Sequence, residues 1–240
     1  MSAAVLELSG ISKSFGGVRA VHDVTMILGS GEVHGLIGPN GAGKSTLVNL
    51  ISGLLNPTSG TMSLDGTPLN GLKSNKRAEK GIARTFQNVR IFPSLTVEQN
   101  IEVAQYSGRG TPLTDAAIDE FGLRSKLNQP ASSLAYGDQR RLEVVRALVL
   151  APRVLMLDEP AAGMNEQETE ALGESLKWVH READCALLVI DHDLKFIMTL
   201  CEKITVMNMG EILAKGSPSE IVKNKRVVEA YIGQEAVAAA

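Results

Sequence analysis

Three kinds of phosphate-handling residue stand together in the run IGPNGAGKST, residues 37–46. Within it, Gly38, Pro39, Asn40, Gly41, Ala42, Gly43, Lys44 and Ser45 fit the pattern G-x-x-x-x-G-K-[ST] throughout. A polyphosphate offers closely spaced negative oxygens, and converging backbone N–H groups bind it best. Side chains would block that approach, whereas glycines leave the backbone bare and accept unusual dihedrals. A helix starting near Gly43 adds its positive end. Lys44 brings a charge to the β- and γ-phosphates, Ser45 a hydroxyl oxygen to Mg²⁺, and Thr46 lies by the α-phosphate. The stretch reads as a main-chain pocket for a nucleoside triphosphate.

A second chemical pair ends an apolar run, VLMLDEP at 154–160. Unpaired carboxylates inside a buried strand are costly. Asp158 and Glu159 therefore belong at the strand's C-terminal end, where α/β sheets bind their ligands. There Asp158 serves Mg²⁺ through water, and Glu159 polarises the water that attacks the γ-phosphate. A cradle and a distant acid alone leave kinases, GTPases and motor ATPases open.

These groups need rigid supports, and the apolar pattern supplies them. Short strands are expected at 5–8, 24–28 and 33–37, the last leading into the cradle. From Gly43 the spacing becomes helical, with Leu47, Leu50, Ile51 and Leu54 on one face, ended by Gly53 and Pro57. A strand at 61–64, a turn at 65–68, a helix at 72–80 and a strand at 82–86 follow. Helices are expected at 96–104, capped by Thr96, at 113–121 and at 139–150, with loops at 106–112 and 127–133. The helix at 139–150 sets Arg140, Arg141, Glu143 and Arg146 as polar among Leu142, Val144, Val145, Leu148 and Val149. Beyond Pro152, strands at 154–157, 186–190, 204–207 and 211–214 alternate with helices at 166–182, 194–200 and 218–233. Alternation of this kind implies crossover units and a mostly parallel sheet. The helical stretch from Thr96 to Leu150 interrupts it.

Further runs narrow the choice. LAYGDQRRLEVVRAL at 134–148 precedes VLMLDEP by a few residues, TFQN at 85–88 ends a strand, and IDHD at 190–193 ends another. Taken in order with the cradle and the acids, these motifs resemble the ATP-binding-cassette ATPases over nearly the whole chain. The resemblance implies a single α/β domain. Its P-loop NTPase core, with a mostly parallel sheet and an N-terminal antiparallel β subdomain, takes up residues 1–95 and 151–240, and an inserted α-helical subdomain takes up 96–150. It further implies that Phe15, in SKSFGG, stacks on adenine. Gln87 reaches Mg²⁺ and the attacking water and senses the transporter, and His192 contacts the γ-phosphate.

The signature segment departs from the family. Leu134, Ala135, Tyr136, Gly137 and Asp138 stand where Leu-Ser-Gly-Gly-Gln is usual. The serine hydroxyl is missing at Ala135, which leaves Gly137, the neighbouring backbone and a helix N-terminus to meet the γ-phosphate of a second subunit. Asn165, in AAGMN, replaces the usual Asp of the loop that links the two sites. AYGDQRRLE, DEPAAGMN, RTFQNVRIF and VEAYIG resemble the ATPase subunits of branched-chain amino-acid importers. That resemblance implies ATP and Mg²⁺ as cofactors and a second ATPase subunit, identical or related. It also implies integral membrane permease partners, a periplasmic or extracellular solute-binding protein acting indirectly, and a peripheral place on the cytoplasmic face of the membrane. Hydrolysis would energise uptake of branched-chain or related amino acids. The segment Asn88–Ala104 is the candidate dock for the permease, and within it VRIFPSL at 89–95 is expected to expose apolar groups in a loop.

Composition sets the remaining bounds. A chain of 240 residues with 44% apolar side chains supports one large core, built from aliphatic residues because aromatics are only 4%. The net charge of −3 argues against a general nucleic-acid binder. No apolar run approaches the roughly 18–20 residues of a spanning helix, and MSAAVLELSG is not expected to be a secretory signal. Cys185 and Cys201 lack metal-ligand spacing and read as free thiols of a cytosolic chain. A soluble ATPase of the same superfamily, acting in translation or DNA maintenance, is the alternative. Such proteins carry paired cassettes or long coiled coils, and this chain has one cassette and no sustained heptads. The Asn-Lys-x-Asp guanine reader of a GTPase is absent. A kinase has no use for Glu159 beside a signature helix, and Mg²⁺-dependent turnover would set aside a purely nucleotide-gated module.

Overall fold

The computed structural model describes residues 4–107 and 111–238. The expected loop at 106–112 thus falls partly outside the described residues. Strands β1 (Ala4–Phe15) and β2 (Val18–Gly29) form an antiparallel hairpin about Gly16 and Gly17. Gly16 sits at φ +56, a turn conformation that glycine takes without strain. Both strands run well past the expected 5–8 and 24–28. Register shifts between Leu8 and Ile11, and again up to Ser14, break the alternation by which a strand is read from sequence. β1 also pairs with β4 (Ser59–Leu64), which turns at Asp65 and Gly66 into the short β5 (Thr67–Pro68), so the expected turn at 65–68 ends in a strand. The first sheet has the order β2-β1-β4-β5.

The second sheet contains β3 (Val33–Ile37), β6 (Ile82–Arg84), β7 (Val154–Asp158), β8 (Ala186–Ile190), β9 (Lys203–Asn208) and β10 (Glu211–Gly216). Its order is β10-β9-β3-β8-β7-β6, and every pair is parallel except the β9–β10 hairpin. The C-terminal ends of β3, β8, β7 and β6 therefore share one edge, and each leads into one of the motifs above. Along β7, Val154 and Met156 face the cluster shared with the first sheet, while Leu155 and Leu157 face the helices. With both faces covered, such strands read as unbroken apolar runs.

Helices α1 (Lys44–Ile51) and α2 (Ser74–Lys80) lie between β3 and β6. Then α3 (Val97–Ser107), α4 (Thr114–Glu120) and α5 (Tyr136–Leu148) stand between β6 and β7, and α6 (Glu166–Glu182) and α7 (Leu194–Leu200) flank β8. At the end come α8 (Pro218–Lys223) and α9 (Lys225–Ala238), separated at Asn224 where one helix was expected over 218–233. α1 ends a turn early, so Leu54 is exposed rather than part of the buried face. The buried Arg77 closes that end, its Nη1 donating to Leu50 O at 2.5 Å and Ile51 O at 3.0 Å. Thr96 caps α3 as expected, in a reciprocal pair with Gln99. α5 starts at Tyr136, three residues before the expected 139, and carries a correction: Arg140 and Glu143, read as polar among apolar neighbours, are buried. Cys185 and Cys201 are free and buried, and burial pushes each thiol up to about 12.

Candidate nucleotide site

The cradle hangs from β3. Gly43, at φ +99, caps α1, and a Cβ there would stand 2.4 Å from Ala20 O. A Cβ on Gly38 would stand 2.1 Å from Met207 O. Only glycine fits either place, because β2 and β9 press their backbones against the loop. Gly210 N–H donates to Ala42 O at 3.0 Å and Ala42 N–H to Pro39 O at 3.1 Å, fixing the bend from within. Gly38, Pro39 and Ala42 are buried, whereas Asn40, Gly41 and Ser45 are exposed and Thr46 is half-buried. The Lys44 ammonium donates to Gly38 O at 2.5 Å and Pro39 O at 3.0 Å. Burial lowers the Lys44 pKa, and the nearby Glu159 and Asp158 oppose that shift.

Opposite stands a cluster drawn from three strand ends. Asp158 closes β7, and its Oδ2 accepts from Arg84 Nη2 at 2.7 Å. Glu159 follows at φ +49, a left-handed backbone that side chains rarely adopt, and its N–H donates to Ile190 O at 2.7 Å. Gln87, past the end of β6, donates Nε2 to Glu159 Oε2 at 3.2 Å. His192, past the end of β8, brings Nδ1 to 3.7 Å from the same oxygen. The three expected catalytic side chains, Glu159, Gln87 and His192, thus converge on one point.

The metal ligands expected from sequence are Ser45, Gln87 and Asp158, which offer a hydroxyl, an amide oxygen and a carboxylate. Such a sparse oxygen set fits Mg²⁺, which keeps waters and takes its remaining ligands from substrate phosphates. Because Gln87 spends its nitrogen on Glu159, its oxygen is the atom left for a cation. Among the described residues no cluster of three or more His, Cys, Asp or Glu is arranged to hold a metal by itself.

Phe15 and the signature segment lie on other elements. Phe15, at the end of β1, is half-exposed, with Lys13 Nζ 5.2 Å from its ring. Leu134 is buried, Ala135 and Tyr136 are exposed, and Gly137 is packed so that a Cβ would meet Glu168 Oε1 at 3.0 Å. Tyr136 rests its ring on Gly163, in the loop after the carboxylates. Asp138 is turned to its own chain by ion pairs with Lys126 and, at 3.8 Å, Arg141. Asn165 caps α6, its Oδ1 accepting from Glu168 N–H at 2.9 Å and its N–H donating to Glu168 Oε2 at 3.0 Å. The family-departing residue therefore has a local task.

Several supporting residues escaped sequence reasoning. Arg140 Nη1 donates to Phe86 O at 2.6 Å and Nη2 to Gln87 O, while Glu143 Oε1 accepts from Phe86 N–H at 3.3 Å and Arg90 N–H at 3.0 Å. The helix that bears the signature thereby clamps the turn that bears Gln87. The one signal was an opposite-charge pair at i, i+3 amid an apolar helix. Arg84 also binds Asn49 Oδ1 at 2.6 Å, tying Asp158 to α1. Beyond Gln87 a groove of about 450 Å³ is walled by Phe86, Arg90, Phe92, Val103 and Arg146. In the run expected to expose apolar groups, Phe92 is exposed under Arg146, while Val89, Ile91 and Leu95 are half-buried.

Comparison with known proteins agrees with this geometry. Residues 21–162 match the family described as ABC transporter, and residues 211–237 match the one described as branched-chain amino acid ATP-binding cassette transporter. The chain is 40% identical to the high-affinity branched-chain amino acid transport ATP-binding protein BraF of Pseudomonas aeruginosa, over 98% of this chain and 100% of the relative. It is 40% identical, with the same coverage, to LivG of Escherichia coli, which carries the same description. Among solved structures, MJ1267, an ATP-binding cassette of an ABC transporter in its ADP conformation, superposes with a TM-score of 0.88. It shares 26% identity and covers 97% of this chain and 100% of that one.

Proposed function

This chain belongs to the ABC transporter family as an ATP-hydrolysing cassette, and we propose that it energises import of branched-chain or related amino acids through membrane permease partners. One observation carries the site assignment: Gln87 and His192 both close on Glu159 Oε2, at 3.2 and 3.7 Å, on the sheet edge that also bears the cradle. The names of BraF and LivG and the match over residues 211–237 support the choice of solute. Among the described residues no helix is long and apolar enough to cross a membrane. The groove beside Phe86 and Phe92 is the proposed dock for a permease segment, on the cytoplasmic face. An external solute-binding protein would act indirectly through the permease. With a net charge of −3, nucleic acid is not among the proposed partners.

In the proposed mechanism Phe15 stacks on adenine, and backbone N–H groups of the cradle, with the Lys44 ammonium, hold the phosphates. Bound Mg²⁺, held by Ser45, Gln87 and, through water, Asp158, would neutralise and orient phosphate oxygens. Glu159 takes a proton from water as its oxygen attacks the γ-phosphorus. The bond to the bridging β-γ oxygen breaks, and ADP carries that oxygen away. Gln87 aligns Glu159 through its amide N–H, and His192 contacts the γ-phosphate. A second cassette, identical or related, would close over the nucleotide with its segment 134–138. Ala135 caps α5 without a side-chain hydrogen bond, which leaves the first-turn N–H groups for an anion. ATP joins the halves and ADP does not, because only ATP offers the γ-phosphate contact.

Purification with membrane partners, followed by transport assays on candidate amino acids, tests the import reading. For the site, Glu159→Gln should keep ATP binding and lower turnover by at least about 100-fold, the lower range for a lost general base. Unchanged turnover in the assembled complex would refute the role given to Glu159.

A further inference from the structure

Asp191 has no role in the mechanism above, yet this acid is buried at 1% exposure at the end of β8. Its Oδ1 accepts from His192 N–H at 2.7 Å and Asp193 N–H at 3.0 Å, and its Oδ2 accepts from Ala161 N–H at 3.3 Å. Ala161 lies two residues past Glu159, on the turn that follows β7. A second bond runs beside this one, from Glu159 N–H to Ile190 O at 2.7 Å. The end of β8 thus grips the acid-bearing turn at two points, one through backbone and one through the Asp191 side chain. Glu159 needs that grip, because a left-handed backbone at φ +49 persists only where its surroundings over-determine it. Burial pushes the Asp191 carboxyl up, and the three N–H groups and His192 oppose that shift.

We propose that Asp191 is a positioning residue that locks the His192 turn to the Glu159 turn, so that His192 reaches the γ-phosphate and Glu159 the attacking water as one rigid unit. The proposal rests on the assignment of Glu159 as the group that activates water. Asp191→Asn is the diagnostic variant because it keeps the shape. Its single oxygen can still serve the His192 and Asp193 N–H groups, while its NH₂ faces Ala161 N–H, donor against donor. Only the side-chain link between the two turns is cut, and the Glu159 N–H bond to Ile190 O remains.

The measurements are steady-state Mg-ATP turnover of the assembled complex that holds the full chain, with the affinity for a fluorescent ATP analogue and thermal melting as controls. The proposal expects kcat to fall about 30-fold, on the scale of a slightly misplaced catalytic group. It expects KM and nucleotide affinity to stay within about twofold, since the cradle on β3 is untouched. Asp191→Ser, whose shorter side chain can reach its own turn but not Ala161, must reproduce the result and serves if the amide variant melts early. The proposal is overturned if kcat stays within about twofold while Glu159→Gln abolishes turnover. It is also overturned if KM rises in step with the fall in kcat, the mark of a merely structural residue. Should Glu159→Gln itself retain turnover, the site assignment fails first and the role of Asp191 falls with it.

Discussion

Replacing Arg140 by methionine tests whether the signature helix truly holds the Gln87 turn. The Arg140 and Glu143 side chains are 2% and 5% exposed and pair at 3.3 Å. Methionine keeps the stem and removes the charge. Phe86 O and Gln87 O then lose their donor, and Glu143 loses its counter-charge while retaining the N–H groups of Phe86 and Arg90. Breaking a buried pair costs about 3–5 kcal/mol, and the surviving bonds to Glu143 put this case at the lower end, about 3 kcal/mol. For a chain of this length each kcal/mol lowers Tm by about 2–4 °C, so a fall of about 6–12 °C is expected by calorimetry. Arg140→Met with Glu143→Gln should recover about 1–2 kcal/mol of that loss, because the unpaired charge is gone while Phe86 O and Gln87 O still lack their donor. The neutral amide still accepts from Phe86 and Arg90, and no unpaired charge remains. Turnover should separate from stability. Both variants lose the bonds to Phe86 O and Gln87 O, so kcat should drop about tenfold in each, a modest cost for a loosened catalytic side chain. A double variant no more stable than the single one, or a kcat that tracks Tm, would refute the clamp.

Gly43→Ala should both destabilise and empty the cradle. Its Cβ would meet Ala20 O at 2.4 Å, on backbone that has nowhere to retreat, and φ +99 is strained for alanine. The conformation alone costs about 1–3 kcal/mol, and calorimetric affinity for Mg-ATP should fall at least about 100-fold because displaced amides no longer converge. Affinity within about twofold of wild type would count against the backbone pocket. Glu32→Gln probes a polar network at the far end of β3, where Glu32 meets His34 at 2.7 Å and Lys203 at 2.6 Å. Burial works to raise this carboxyl, and the His34 and Lys203 hydrogen bonds outweigh it, holding the pKa at about 2. A depressed acid stabilises above its unfolded pKa and loses that contribution as pH falls through the folded one. Wild type should therefore exceed Glu32→Gln by roughly 3 kcal/mol at pH 7, and the gap should close between pH 5 and 2. A gap constant across that range would show that the charge is not the source.

Sequence made β3, β7 and β8 plain, because each is buried on both faces and leads straight into a motif. The cradle, Asp158 and Glu159 were legible for the same reason, since their spacing is local. What escaped was long-range or local in an unexpected sense. The twelve-residue β1 was cut to four because its register shifts destroy the alternation. The start of α5 was placed late because Gly137 reads as a loop residue, though there it makes room for Glu168. Arg140 and Glu143 were assigned to a polar face because periodicity equates charge with solvent, and nothing local reveals that a turn 53 residues upstream presents bare carbonyls. Asn165 was noted only as a departure, although it and Glu168 form a capping box three residues apart.

The site's ligand-directed groups share one property that bears on how it works. Lys44 lies on Gly38 O and Pro39 O, Arg84 on Asp158, and Gln87 on Glu159. Lys44, Gln87 and Asp158, to which the proposed mechanism gives phosphate, water and metal, each hold a partner of their own chain. A triphosphate must exchange these bonds for its own, so no group has to be stripped from bulk water alone, and the net gain per bond is modest. Binding of that kind discriminates by geometry more than by raw charge. Lys44 must swing from its own loop, a move rewarded only where a β- or γ-phosphate lies in reach. Asp158 is already neutralised on one oxygen by Arg84, which leaves the other for a hydrated cation brought with the nucleotide. Glu159 is the exception. Its backbone is pinned by Ile190 and, through Ala161, by Asp191, so it need not move at all. In the proposed mechanism a fixed acid among exchangeable cations suits water activation, since the phosphate must come to the base in one register only.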